Sequence, residues 1–155
     1  MSGTFTLAVL IMLGTVAVME VFALAVHRYV MHGIGWGWHR SHHEPRTGLL
    51  EKNDIYALLF AGLSLALFVA GAWSPLLWWV GVGTVVYGLL YAFVHDGLVH
   101  GRFPAFMKPR RGYLKRLVQA HRLHHATRGR EGAVSFGFLY APDVATLKRK
   151  LKASR

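Results

Sequence analysis

Four groups of histidines carry the chemical content of this chain: His27 and His32; His39, His42 and His43; His95 and His100; His121, His124 and His125. They take up all ten histidines, and the spacing H-x4-H followed by H-x2-H-H occurs twice, in HRYVMH and HRSHH and again in HDGLVH and HRLHH. Repeated order of this kind separates them from solvated loop histidines and from a loose metal-scavenging tract. On a helix advancing about 100° per residue, positions i, i+3 and i+4 share a face, so each triplet can aim three imidazoles at one centre. The two members of an H-x4-H pair lie about 140° apart on an ideal α-helix. One member of each pair is therefore expected where the helix ends or unwinds, with Gly33 and Gly97 supplying the freedom.

Ligand type narrows the metal without fixing it. The chain has no cysteine, which removes disulfides, thiolate zinc sites, thiolate haem and iron–sulfur clusters. Imidazole suits zinc, copper, nickel and iron. Number is more informative: a structural zinc uses about four ligands and a catalytic one about three, whereas ten histidines supply five to each of two metals and leave an open position on each. Glu-x-x-His, the carboxylate signature of soluble di-iron bundles, is absent from the sequence.

The elements that must deliver these side chains are apolar. Hydrophobic residues make up 54% of the 155 residues, more than one soluble domain of that size normally buries. Stretches at 5–26, 55–72 and 76–94 are each long enough, at about 1.5 Å per residue, to cross a hydrocarbon core of about 30 Å. The first lacks a basic leader and runs straight into a histidine motif, so it is expected to remain as a span and not to be cleaved as a signal peptide. Between the second and third stretches lie only Trp73, Ser74 and Pro75, a tight hairpin whose Trp73, Trp78 and Trp79 suit a lipid–water interface.

All eighteen Lys and Arg fall within Arg28–Lys52 and Arg102–Arg155, alternating with the apolar stretches. That alternation argues against nucleic-acid binding despite the net charge of +11. By the positive-inside bias it sets the N-terminus outside and the blocks 27–53 and 95–155 in the cytoplasm. The expected fold is an all-α integral-membrane helical bundle of about three to four transmembrane helices, a single domain over 1–155, with a histidine-rich di-metal site on its cytoplasmic side. Gly132–Ala141 is too short to cross and reads as re-entrant, interfacial or packed over the site. Pro142 and Asp143 look like the start of a basic helix, either solvated or lying on the lipid surface.

A few further residues are candidates beside the histidines. Glu20, ionisable within the first span and seven residues before His27, is expected to face the protein interior, near the site or in an interhelical hydrogen bond. Asp96 and Asp54 are placed to accept a ring N–H from a ligand histidine, an N-cap being the plainer role for Asp54. Glu44 and Glu131 are better suited to pairing with nearby arginines. Tyr87 and Tyr91, at helical spacing before His95, are candidates to line a substrate route, with ordinary packing as the alternative.

The stretches MEVFALAVHRYVMHG, WHRSHHEP, EKNDIYA, HDGLVHGRFP and QAHRLHHATRGREGAVSFGFLY, from Met19 to Tyr140, resemble the histidine-box membrane hydroxylases and desaturases, and among them the short bacterial beta-carotene 3-hydroxylases. The resemblance implies a non-haem centre of two iron ions, replaceable by zinc in a crystal, that activates O2 with electrons from a reduced ferredoxin. It implies a carotenoid substrate taken from the bilayer of the bacterial inner membrane and hydroxylated at C3 of its beta-ionone ring, converting beta-carotene through beta-cryptoxanthin to zeaxanthin. An unactivated C–H bond is beyond acid–base chemistry and calls for a redox cofactor. The histidines alone leave open another lipid hydroxylation, a desaturation or a carotenoid ketolation. A membrane metal transporter or buffer is the non-enzymatic alternative, against which stands the scarcity of ionisable groups through the spans. The basic face suits an acidic electron donor and anionic lipid headgroups alike.

Overall fold

A computed structural model describes residues 2–46, 48, 50–103 and 108–154. Pro104, which ends HDGLVHGRFP, and the termini Met1 and Arg155 lie outside them. The described residues form an all-helical bundle without strands: α1 (Ser2–Ala25), α2 (Trp36–His43), α3 (Asp54–Gly71), α4 (Pro75–Tyr91), α5 (Gly112–His124) and α6 (Val144–Ala153).

Two of these helices continue as π-helix, α1 through Val26–Ile34 and α4 through Ala92–Val99. Three helical segments are thus long and apolar enough to cross a membrane: Gly3–Ile34, which is kinked at Gly33, Asp54–Gly71 and Pro75–Val99. The first and third run further than hydropathy alone suggests, to Ile34 and Val99 instead of 26 and 94. Histidines and an arginine interrupt the apolar pattern there, while the backbone stays helical because the imidazoles turn inward.

The three long helices pack as a sheaf in which α4 touches both α1 and α3. Helix α4 packs tightly on α1 at Gly83, where a Cβ would stand 2.5 Å from Thr15 Cβ and 2.9 Å from the Met12 carbonyl oxygen. At the hairpin, Gly71 lets the end of α3 lie against the Trp78 backbone, 2.9 Å from where a side chain would begin. Phe22 meets Phe60 edge to face at 6.0 Å, joining α1 to α3. Outward-facing residues such as Leu7, Val18, Leu58, Leu65 and Leu89 are exposed, the pattern of a bundle solvated by lipid and not water.

The short helices α5 and α6 close one end of the sheaf. Leu147 and Leu151 of α6 pack with Leu117 and Ala120 of α5, and with Val94, Val134 and Ala141, into a small separate core. Asp143 caps α6 by accepting the Thr146 N–H at 3.0 Å. The segment Gly132–Ala141 is not helical; it crosses the histidine end of the sheaf with Val134, Phe138 and Ala141 buried.

Candidate metal centre

The H-x4-H pairs are solved by backbone geometry that the spacing alone does not reveal. Neither helix unwinds between its two histidines. The first pair lies in its π-helical extension and the second spans the end of its own, with His100 as the capping residue; i→i+5 hydrogen bonding sets residues five apart over one another, as in the His100 N–H bond to the His95 carbonyl at 3.0 Å. Gly97 is therefore an ordinary buried helical residue. Gly33 does leave helical geometry (φ −106°, ψ −120°), but after His32, where it releases the chain towards α2. The residue that turns the chain after the second pair is Gly101, with φ +63°.

The triplets lie at the C-terminal ends of α2 and α5, and all four clusters converge. His27, His32, His39 and His124 present ring nitrogens within 4.8 Å of one another, and His42, His100, His121 and His125 do likewise. His43 Nε2 lies 3.2 Å from His39 Nε2, and His95 Nε2 lies 3.0 Å from His42 Nε2. Two groups of five result: position one with His27, His32, His39, His43 and His124, and position two with His42, His95, His100, His121 and His125.

The grouping exchanges one residue between the two halves of the chain. The first and last members of each triplet stay with the H-x4-H pair of their own half, while the middle members, His42 and His124, cross to the other position. Helix geometry explains it, because i and i+4 differ by about 40° while i+3 leans about 60° to the far side. The two positions are thereby interlocked.

Hydrogen bonding fixes which nitrogen faces inward. Nδ1–H donates to the carbonyl of Phe136 from His27 (2.9 Å), of Arg130 from His32 (2.8 Å), of Thr127 from His43 (3.0 Å) and of Val134 from His124 (3.2 Å). His39 donates to Asn53 Oδ1 (2.7 Å), His42 to Glu51 Oε2 (2.9 Å) and His95 to Asp96 Oδ1 (2.8 Å). In a neutral imidazole so bonded, Nε2 carries only a lone pair.

Those lone pairs then face one another: His27 to His39 at 3.1 Å, His32 to His124 at 3.1 Å and His42 to His95 at 3.0 Å. Such pairs have no proton to share, and His100 Nε2 is buried with no hydrogen-bond partner among the described residues. Protonating the rings is disfavoured as well. Burial, followed by the proximity of other histidines, lowers His42, His121 and His124 and takes His100 and His125 down to about 2. His39 falls to about 3 and His43 to about 4, again chiefly through burial, with Asn53 and the Thr127 carbonyl opposing it. Inward lone pairs on neutral, oriented rings are what a divalent cation requires of imidazole ligands, so the donor set fits two metals.

The other candidates fall into place around this centre. Asp96 accepts from His95. Asp54 does not touch a histidine, nor does its side chain cap α3: it accepts the Glu51 N–H at 2.9 Å and pairs with Arg102 at 2.8 Å, because the turn before α3 directs it away from the site. Its neighbours Glu51 and Asn53, which nothing in the spacing singles out, take the role instead. Burial raises the Glu51 carboxyl above its ordinary range, and Arg102 opposes the rise.

Glu20 acts at one remove. Oε1 accepts the backbone N–H groups of Phe138, Leu139 and Tyr140 at 2.9–3.0 Å, and Oε2 accepts the Tyr87 hydroxyl at 2.9 Å. It pins to α1 the strap whose Val134 and Phe136 carbonyls orient His124 and His27. Phe138 of that strap stacks on His27, with centroids 5.1 Å apart and planes at 10°, and Tyr91 stacks on His95 at 4.5 Å. Glu44 pairs with Arg40 on the surface at 2.7 Å.

Beside the histidines an apolar cavity of about 450 Å³ extends between α1, α3 and α4. Met31, Tyr91, Asp96 and Phe138 line its inner end, Tyr56, Phe60 and Tyr87 its walls. Leu65, Val85 and Leu89 also line it and are exposed on the outside of the bundle, so the cavity opens sideways between the spans.

The comparisons agree with this architecture. The chain is 58% identical over 147 residues to a beta-carotene hydroxylase of Paracoccus sp. (strain PC1), covering 94% of this chain and 91% of that protein. It is 58% identical over 146 residues to the beta-carotene hydroxylase of Pantoea ananas, covering 92% and 82% respectively. Against beta-carotene 3-hydroxylase 1, chloroplastic, of Arabidopsis thaliana it is 40% identical over 147 residues, covering 92% of this chain and 46% of that one. No solved structure matches the chain. Residues 12–143, which take in all four histidine clusters, match the family described as fatty acid hydroxylase, and the chain belongs to that family.

Proposed function

We propose that this protein is a membrane monooxygenase that inserts a hydroxyl group at C3 of the beta-ionone ring, converting beta-carotene through beta-cryptoxanthin to zeaxanthin. The observation that carries the reading is the apolar cavity that opens between the spans at one side and is lined at its inner end by Tyr91 and Phe138, which stack on His95 and His27. A cavity of about 450 Å³ accommodates one ring and the first carbons of a polyene, not a whole C40 molecule. The rest of the chain of carbons would lie in the bilayer, which fits a sideways mouth. The identity to bacterial beta-carotene hydroxylases supports the ring as the substrate end.

The ten histidines would hold two iron ions, five to each, with zinc able to replace them. When bound, the iron pair would supply the redox chemistry, in which C–H, O2, two electrons from the donor and two protons give C–OH and water. The side chains do the rest. Ring N–H groups tied to carbonyls, Asn53, Glu51 and Asp96 hold the imidazoles in one tautomer and one orientation. Phe138 and Tyr91 form an aromatic floor that positions the substrate ring and excludes water. Tyr87, hydrogen-bonded to Glu20, stiffens the cavity wall beside them.

The whole chain works as one domain in the bacterial inner membrane, with its N-terminus outside and the metal centre and the basic blocks in the cytoplasm. There a reduced ferredoxin or similar acidic donor meets the basic face. The test is pigment analysis of cells that accumulate beta-carotene and express this chain or its His124→Ala variant. New 3-hydroxylated carotenoids from the wild type alone are expected. Unchanged carotene in cells whose membranes hold the iron-loaded wild type would refute the substrate and turn attention to fatty acids and sterols.

A further inference from the structure

The two metal positions differ in what stands behind their ligands. At position one, the ring N–H groups of His27, His32, His43 and His124 end on main-chain carbonyls, and that of His39 ends on a neutral amide. Two cations stand nearby, Arg130, whose Nε donates to the His32 carbonyl at 3.0 Å, and Arg28, whose guanidinium lies 5.7 Å from the Phe136 ring centre; the carboxylate on this side, Glu20, bonds to main-chain N–H groups and the Tyr87 hydroxyl and to no ligand ring.

At position two, His42 and His95 give their ring N–H groups to carboxylates, Glu51 and Asp96. One guanidinium ties these together. Arg102 stands 3.7 Å from Glu51, 3.6 Å from Asp96 and 2.8 Å from Asp54. It is brought there by the left-handed turn at Gly101, and its own N–H bonds back to the Asp96 carbonyl at 2.8 Å. Arg46 also acts on Glu51, so two cations face three carboxylates, which leaves net negative charge beside the ligands of position two.

An imidazole backed by a carboxylate is a more basic donor than one backed by a carbonyl, and fixed negative charge favours a more highly charged metal. We infer that the two positions are inequivalent: the one formed by His42, His95, His100, His121 and His125 binds its cation more tightly and oxidises more readily, with Glu51, Asp96 and Arg102 as its positioning residues. The inference rests on the two-metal reading above. Asp96, which orients His95, also lines the inner end of the cavity beside Tyr91 and Phe138.

The full-length protein, purified and loaded with zinc, provides the test through competition with a chelator. Wild type is expected to release two zinc ions per chain in two resolved steps. Glu51→Gln and Asp96→Asn keep an acceptor oxygen of nearly the same shape and remove the charge. Each is expected to weaken the tighter step by about 10- to 100-fold and leave the weaker one unchanged. Asn53→Ala is expected to weaken only the weaker step. With iron-57 in place of zinc, Mössbauer spectra should show two doublets of equal area, of which Glu51→Gln moves one. Equal effects of the two carboxylate variants on both steps, or none on either, would overturn the inequivalence. Fewer than two zinc ions in the wild type would overturn the two-metal reading itself, and this inference with it.

Discussion

His32 and His124, ninety-two positions apart in the chain, meet Nε2 to Nε2 at 3.1 Å, each having already given its Nδ1–H to a main-chain carbonyl. Two lone pairs held this way repel unless a cation lies with them. Removing the crossing residue should therefore cost more than one ligand in ten. His124→Ala and His42→Ala are each expected to insert into membranes at wild-type levels, to lose at least one metal per chain, and to drop carotenoid conversion to background. Metal analysis of the purified variants, run beside pigment chromatography, checks this; full metal content with wild-type conversion would contradict the exchange of middle histidines.

Glu20 serves three backbone donors with one oxygen. Glu20→Ala leaves these N–H groups and the Tyr87 hydroxyl without their acceptor, and each buried donor so orphaned costs about 1–3 kcal/mol. The melting temperature in detergent is expected to fall sharply, and Glu20→Gln, which retains one acceptor oxygen, to fall less. Because the same strap orients His27 and His124, metal retention should weaken in parallel. A stable Glu20→Ala protein with normal metal affinity would show that the strap holds itself.

The metal-free protein should be acid-labile in a defined window. The pKa values of His39, His43, His100 and His125 lie at about 3, 4, 2 and 2 when folded, against an unfolded value of 6.5. Below about 6.5 the unfolded chain takes up protons that the folded chain refuses, so stability is lost as pH falls from about 6.5 towards 4. Above about 7 the histidines contribute no pH dependence. Denaturation of the apoprotein followed from pH 8 to pH 4 checks the direction; a metal-free protein more stable at pH 5 than at pH 7.5 would contradict the buried, neutral rings.

Gly88 lines the cavity, and a Cβ there meets nothing within 4 Å. Gly88→Phe should fill the cavity without disturbing the backbone. Metal content and melting temperature are expected to stay near wild type, while conversion falls on the order of a hundredfold as the ring is held away from its productive position. Gly83→Ala is the contrasting case, since its new Cβ collides with Thr15 and the Met12 carbonyl. It should destabilise the α1–α4 contact by about 1–3 kcal/mol while leaving the cavity open. Measured side by side, the two variants separate loss of substrate space from loss of fold.

The histidine spacing and the apolar lengths made the convergence of the histidines and the spans legible, because each carries a signature in residue type. The π-helical solution to H-x4-H did not show, since five-residue spacing fits an unwound α-helix as well as a continuous π-helix until hydrogen bonds are seen. The ring acceptors were harder still. Thr127, Arg130, Val134 and Phe136 act through main-chain carbonyls, which leave no trace in residue type. In Glu51–Asp54, three acceptor-bearing side chains lie within four residues of an irregular turn, and only its geometry decides that Glu51 and Asn53 face the histidines while Asp54 faces Arg102.

The most direct test of the central claim is the iron content and coordination of the protein purified from iron-supplied cells. Two iron ions per chain, both in nitrogen-rich environments by X-ray absorption and both lost only when histidines are removed, is the result expected from ten imidazoles in two groups of five. A single iron per chain at full occupancy, or two with oxygen-dominated coordination, would contradict it.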